Sequence, residues 1–536
     1  MNIIFEMKSN LVVFQLSICF SVVILSCSSG SNISPSAGTD TLYYYQEKYR
    51  PQFHFSPETG WMNDPNGMVY YDGEYHLFYQ HYPDSTVWGP MHWGHAVSSD
   101  MVHWTHMPVA LYPDSLGYIF SGSAVVDAEN TSGFGKGDVP PIVAVFTYHN
   151  AQLEKSGIST FQSQGIAWSI DKGKTWTKYS GNPVLPNPGK RDFRDPKVFW
   201  HKETRKWIMI LAVRDRINLF SSADLKSWSY ESEFGTDAGA HGGVWECPDL
   251  FPLKVEGSDE TKWVMLVSIN PGGPNGGSAT QYFTGKFDGK KFVADAKSVK
   301  WIDWGTDNYA GVTWSDIPHS DGRRLFLGWM SNWNYATVVP TTVWRSAMTI
   351  PRELLLAYEN GSYYLLSRPV KELNILRKES ISIIPEEASN SSLTDLIIDV
   401  PGLNQSELEF DLRVPDGYTE SLGIILENNL GEKIIIGYSV QAKQLFIDRT
   451  KSGSTSFSER FAGVATAPYE SGKTLKMHLF IDDSSAELFV DEGKLVMTSL
   501  FFPSGKYTKL RFFSKNTSSY PEIIKYYKLE SIWSDQ

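Results

Sequence analysis

Four short units recur along the first half of the chain. They are "SSDMVHW", "SIDKGKTW", "SSADLKSW" and "FDGKKF", which set Asp100, Asp171, Asp224 and Asp288 a few residues ahead of Trp104, Trp176, Trp228 and Phe292 and return every 53 to 71 residues. Repetition at such a period marks a chain assembled from copies of one supersecondary unit, each of which must stack on its neighbour to bury an apolar face. A second set interleaves: "RDPKVF" (Arg194 to Phe199) precedes "KWIMIL", and "ECPDLF" (Glu246 to Phe251) precedes "KWVMLV", with Trp207 and Trp263 lying 56 residues apart. Between Tyr43 and about Ser367, apolar or alternating runs such as "YHLFYQ", "WVMLVSI" and "RLFLGWM" are punctuated by Gly, Asp, Asn and Pro, with no long helical period. Strand starts fall at Asp64, Ser121, Asp195, Glu246 and Asp307. Their spacing predicts an all-β chain that opens as a five-bladed β-propeller of four-stranded blades over 43–367. Residues at those starts then meet at one mouth of the axis.

The segment 368–380 reads as a linker with a few helical residues around Val370 to Leu376. Beyond it, alternating runs such as "SELEFDLRV", "KQLFIDRT" and "LKMHLFID" predict a C-terminal β-sandwich over 381–536, in which nothing catalytic is obvious.

The first 27 residues have the form of an export signal: Lys8, an apolar stretch from Leu11 to Leu25, then "ILSCSSGS". Ile24-Leu25-Ser26-Cys27 resembles a bacterial lipoprotein processing box, which implies a lipid on Cys27; a plain secretory signal is the alternative. The Ser/Gly/Pro-rich stretch 28–42 reads as a tether that would hold the following domain off a membrane. On that reading Cys247 is the single remaining thiol, so no internal disulfide forms, and a packing role suits it better than a redox one. A net charge of -12 with no basic stripe argues against a nucleic-acid partner. An aromatic share of 14%, with 18 Trp and 27 Tyr, suits a protein that binds ring-shaped ligands such as sugars.

Three strand starts pair an acid with a proline: Asp64-Pro65, Asp195-Pro196, and Glu246 ahead of Cys247-Pro248. Asp64-Pro65-Asn66-Gly67 also fits a type I turn, and the proline in each case is expected to aim the acid out of the ladder toward the axis. Cleaving a glycosidic bond needs two such groups, one protonated to assist the leaving oxygen and one ionised to attack or stabilise the cationic sugar. Glu246, between Trp245 and Cys247, has weakly polar sequence neighbours that would favour its acid form if buried.

The motifs "WMNDPNG" (Trp61 to Gly67), "FSGSAV" (Phe120 to Val125), "FRDPKV" (Phe193 to Val198) and "WECPDLF" (Trp245 to Phe251), with "GWMSNW" and "IPREL" after them, resemble glycoside hydrolase family 32, the β-propeller fructan hydrolases and invertases. The likeness is nearest to levanases and inulinases and covers the whole mature chain. It implies Asp64 as nucleophile, Glu246 as general acid/base and Asp195 as transition-state stabiliser. It also implies a sugar-gripping set of Asn63, Gln80, Trp88, Phe120, Ser121, Arg194 and Trp329, with Trp88 and Trp329 offering flat faces to a ring. No cofactor and no metal are implied. His92, His95, His103 and His106 have a spacing possible for zinc, but a strand reading scatters their side chains between faces. Two other readings stay open, a non-catalytic glycan-binding lipoprotein and an arabinan-type furanosidase on a related propeller. Linkage preference, end or internal attack and activity on sucrose are not legible.

Overall fold

The computed structural model describes residues 44–383, 395–516 and 519–533. The export signal, Cys27 and the tether lie outside the described residues. Seven sheets are formed among those residues, and five of them are blades. The innermost strands are Gly60–Tyr71, Tyr118–Val126, Phe193–His201, Val244–Lys254 and Tyr309–Thr313. Each packs against the next and the fifth against the first, which closes the ring. The closure is hydrogen-bonded at both ends of the first strand. Trp344 and Arg345, which follow the last blade's second strand in the chain, join the first sheet by pairing in parallel with Gly60 and Trp61, while Ser315 exchanges backbone bonds with Met68 and Tyr70.

The second strand of each blade lies between sheet neighbours and is covered on both faces by adjacent blades, which explains its continuous rather than alternating apolar sequence. Ile142–His149 is buried throughout, and Lys206–Val213 is buried at all but its first residue. The recurrent Asp units occupy the connection from third to fourth strand in the first four blades. Asp100 Oδ1 accepts the backbone N–H groups of Val102 and His103, and Asp224 Oδ1 those of Lys226 and Ser227. The following indoles turn back, Trp104 Nε1 donating to Met101 O and Trp228 Nε1 to Leu225 O. The repeat thus encodes a side-chain-closed turn.

In the segment read as a linker, a 3-10 helix spans Lys371–Leu376 and the next strand begins at Arg377. Two six-stranded antiparallel sheets follow, packed over a core that includes Leu408, Ile424, Ile436, Leu479, Leu488 and Phe512.

Candidate active site

All five inner strands carry the same defect at the same place. In the first blade Met62 pairs with His81 and Pro65 with Tyr79, so Asn63 and Asp64 together oppose Gln80. Phe120 and Ser121 oppose Thr147, Asp195 and Pro196 oppose Leu211, Cys247 and Pro248 oppose Val267, and Ala310 and Gly311 oppose Gly328. Each is a two-against-one bulge, which bends the strand and re-aims side chains away from the ladder. In the last three blades its first residue has a left-handed backbone: Asp195 (φ 64), Cys247 (φ 44) and Ala310 (φ 53). The type I turn expected at Asp64 is therefore corrected, because Asp64 to Gly67 lie inside a continuous strand. The prolines also act differently from expectation: Pro196 and Pro248 are the second bulge residues, where a missing N–H costs no ladder bond.

The bulges bring the three acids together. Ser121 Oγ donates to Asp64 Oδ2 at 2.7 Å, and Asn63 Nδ2 donates to Asp64 Oδ1 at 2.9 Å. The Cys247 thiol lies 3.4 Å from Asp64 Oδ2 and 3.7 Å from Asp195 Oδ2, while the Cys247 N–H donates to the same Asp195 oxygen at 3.0 Å. One cysteine thus links two carboxylates that are 131 positions apart in the sequence. Glu246 Oε1 accepts from Arg194 Nε (3.2 Å) and Nη2 (2.9 Å), its other oxygen accepts from the Tyr309 hydroxyl, and Arg194 Nη1 reaches Asp192 at 2.8 Å. The weakly polar surroundings expected for Glu246 are not found. Trp245 turns the other way, its Nε1 donating to Ala240 O and its ring stacked on His241.

Electrostatics at the mouth are set by three acids, of which Glu246 and Asp195 feel the Arg194 guanidinium. Burial raises the Asp64 carboxyl above its usual range and the Glu246 charge adds to this, whereas the Ser121 and Asn63 donors oppose it. Asp195 is pushed up to about 7 by burial, with Arg194 opposing and the Glu246 and Asp64 charges reinforcing. The Cys247 thiol rises too, first from burial and then from its anionic neighbours, so it stays a neutral donor. Below the acids the axis narrows to a small void lined by Pro65, Gly122, Pro196, Pro248 and Val312. Lys197 also lines it, bonded to Thr313 O (2.6 Å) and Asp249 (3.2 Å), so the mouth is a pocket with a charged floor.

The remaining sugar-gripping candidates divide. Gln80 opposes the Asp64 bulge and donates to Ile119 O at 3.1 Å, and half-buried Phe120 stacks on His149 with Trp88 edge-on to it. Trp88 is 40% exposed and can offer a face. Trp329 is fully buried against Trp61, Trp333 and Tyr309, so the flat face expected of it is covered. Trp333, half-buried and stacked on Trp61, holds the more open position, and Trp61 Nε1 donates to Asn63 Oδ1 at 2.7 Å. Sequence reasoning missed Trp333 and Tyr309. Tyr309 occupies the place in its blade that Glu246 occupies in the fourth, immediately before the bulge, and aligning the repeats on their bulges is the signal that finds it. Asp307, taken as the fifth strand start, instead accepts from Arg449 and Tyr335. The four histidines go to separate partners: His92 to Pro90 O, His95 to His76, His103 to Asp100 and His106 to Tyr45.

Sequence profiles decide the family. The glycosyl hydrolases family 32 N-terminal domain matches residues 54–369, and the family 32 C-terminal domain matches 372–528. The chain belongs to glycosyl hydrolase family 32. Among family 32 relatives, a levanase of Bacillus subtilis is 47% identical, covering 98% of this chain and 76% of its own. An extracellular exo-inulinase of Aspergillus niger is 39% identical over 93% and 98%. The crystal structure of exo-inulinase from Aspergillus awamori superposes with a TM-score of 0.83 at 37% identity, covering 92% of this chain and all of that one. β-Fructofuranosidase from Schwanniomyces occidentalis, solved with fructosyl-erythritol, gives 0.82 at 33% identity, covering 92% of this chain and all of that one.

Proposed function

We propose that this family 32 enzyme hydrolyses β-fructofuranosidic bonds of levan- or inulin-type fructans with retention. Asp64 attacks the anomeric carbon, and Glu246 protonates the departing oxygen and then deprotonates the incoming water. Asp195 holds ring hydroxyls while positive charge develops on the sugar. The observation that carries this reading is the meeting of Asp64, Asp195 and Glu246 at one mouth, on three different blades, tied by Cys247 and Arg194. A binding protein has no need of an oriented carboxylate and a second acid beside it. Ser121 and Asn63 fix the Asp64 oxygens for in-line attack, and the developing cation is stabilised by the negative charge that burial disfavours in the pocket. The levanase and exo-inulinase relatives, alike over nearly the full chain, favour fructan over arabinan as substrate. The enzyme works outside the cytoplasm, held to the cell envelope by a lipid on Cys27.

Incubation with levan, inulin and sucrose tests the activity, and fructose appearing first as the β-anomer supports retention. Absence of fructose and of fructo-oligosaccharides from a folded protein overturns the reading. Asp64→Asn and Glu246→Ala should each lower kcat by several orders of magnitude with the fold kept. Near wild-type turnover in either would remove that residue from its role. Radiolabelled palmitate incorporation that disappears in Cys27→Ala tests the anchor.

A further inference from the structure

The acids stand at the starts of the inner strands, and the second strands return to the same end: Glu246 pairs with Ser268, and Tyr309 with Trp329. The connections from second to third strand therefore rim the mouth, and 331–346 is the one contributed by the fifth blade. The sandwich adds an outer layer here, as it also does at the fourth blade's connection, where Asn275 and Thr466 exchange hydrogen bonds. Its connection 452–463, between strands Gln444–Lys451 and Val464–Pro468, is seated by Phe461, which is fully buried and edge-on to Tyr335. Next to that anchor, Arg460 is exposed and its Nη1 donates to Asn334 Oδ1 at 3.0 Å. Among the described residues it forms no ion pair. Asn334 follows Trp333, whose ring lies on Trp61, and Trp61 is one hydrogen bond from Asn63 and two from Asp64.

An exposed arginine held by one amide contributes little to stability, since ordering a long side chain offsets most of what the bond returns. A guanidinium offers five N–H donors in a rigid fork, a good match for neighbouring hydroxyls of a neutral sugar. One donor is on Asn334, a residue of the rim, and the side chain is otherwise exposed. A chain whose terminal fructosyl unit fills the pocket must pass its next units across that rim.

Resting on the fructan reading above, we propose that Arg460 of the sandwich is a substrate-positioning residue, donating to hydroxyls of the units beyond the scissile bond. The sandwich is thereby part of the specificity apparatus for chain length. The test compares kcat/KM on an inulin-type chain of ten or so units with that on sucrose, for wild type, Arg460→Ala and Asn334→Ala, with thermal midpoints alongside. The ratio of long-chain to disaccharide kcat/KM should fall about tenfold in Arg460→Ala, through KM and not kcat, at an unchanged midpoint; a charge-assisted hydrogen bond is of about that strength. Asn334→Ala, which frees the guanidinium without removing it, should fall part of the way. A wild-type ratio in Arg460→Ala overturns the proposal, as does an equal loss on both substrates, which is what a purely structural contact would give. A folded wild-type protein inactive on both substrates overturns the fructan reading instead, so the two failures are distinct.

Discussion

Asp195 concentrates the physics of the site in one residue. Its backbone is left-handed, its N–H is held by Thr147 Oγ1 at 3.0 Å, and its carboxylate is buried beside two other acids. A carboxyl raised from 3.8 to about 7 is easier to ionise in the unfolded chain than in the folded one. The stability it contributes is therefore fully present below pH 4 and is lost as pH rises through about 7. Asp195→Asn removes this cost while keeping the shape, so its thermal midpoint should exceed wild type at pH 7.5, with the gap closing toward pH 4. A gap independent of pH would show that the charge is not the cause. Raised stability with lost activity is the trade expected where a site is strained for function. The residue types at Asp64, Asp195 and Glu246 were legible because each sits within two residues of a proline in a repeated strand start. Their mutual contacts were not, since Cys247 meets Asp64 only after 183 positions of chain have closed a ring.

At the scale of elements, the repeated bulge decides where the three acids meet. The three acids do not occupy equivalent positions: Asp64 is the second bulge residue, Asp195 the first, and Glu246 the residue before. Each inner strand thus presents its acid from a different step of the same bend. Gly122 closes the second bulge, where a Cβ would lie 2.0 Å from Val145 O and 2.7 Å from Phe146 Cα. Neither atom can yield without breaking the ladder. Gly122→Ala should therefore cost about 1 to 3 kcal/mol in urea unfolding. It should also impair activity by shifting Ser121 from Asp64, and wild-type stability would mean that the bulge is pliable. Gly67 explains why the Asp-Pro-Asn-Gly signal misled. Its φ of 56 and the crowding by Trp93 and Phe78 demand glycine for a second bulge, not for a turn. Local sequence preferences overlap, because a type I turn favours proline at its second position and glycine at its fourth, and this bulge needs glycine at the same place for its left-handed backbone.

At the scale of the whole molecule, propeller and sandwich share a buried ionic network. Arg352, with no exposed surface, binds Asp303, Glu487 and Thr498 Oγ1, while His54 lies between Asp482 (2.7 Å) and Glu487 (2.9 Å). Burial alone would lower the His54 pKa, but its two acidic partners outweigh this and raise it from 6.5 to about 9. The stability linked to that proton is fully present below pH 6.5 and is lost as pH rises through about 9. Thermal midpoints from pH 6 to 10 should fall across that window, and His54→Gln should flatten the decline. Glu487→Gln leaves Arg352 without its closest countercharge and should cost about 3 to 5 kcal/mol, the range for breaking a buried pair. A change below 1 kcal/mol would show that the network is dispensable.

The sequence by itself determined the number of blades, four of the five inner strands and the acids on three of them, because periodicity and strand patterning are local and repeat with each unit. Only the tertiary structure decided which side chains surround each acid, that Trp329 is covered and Trp333 more open, and that a sandwich loop reaches the rim. Those facts depend on closing a ring and docking a second domain, which join residues hundreds of positions apart and leave no periodic trace along the chain.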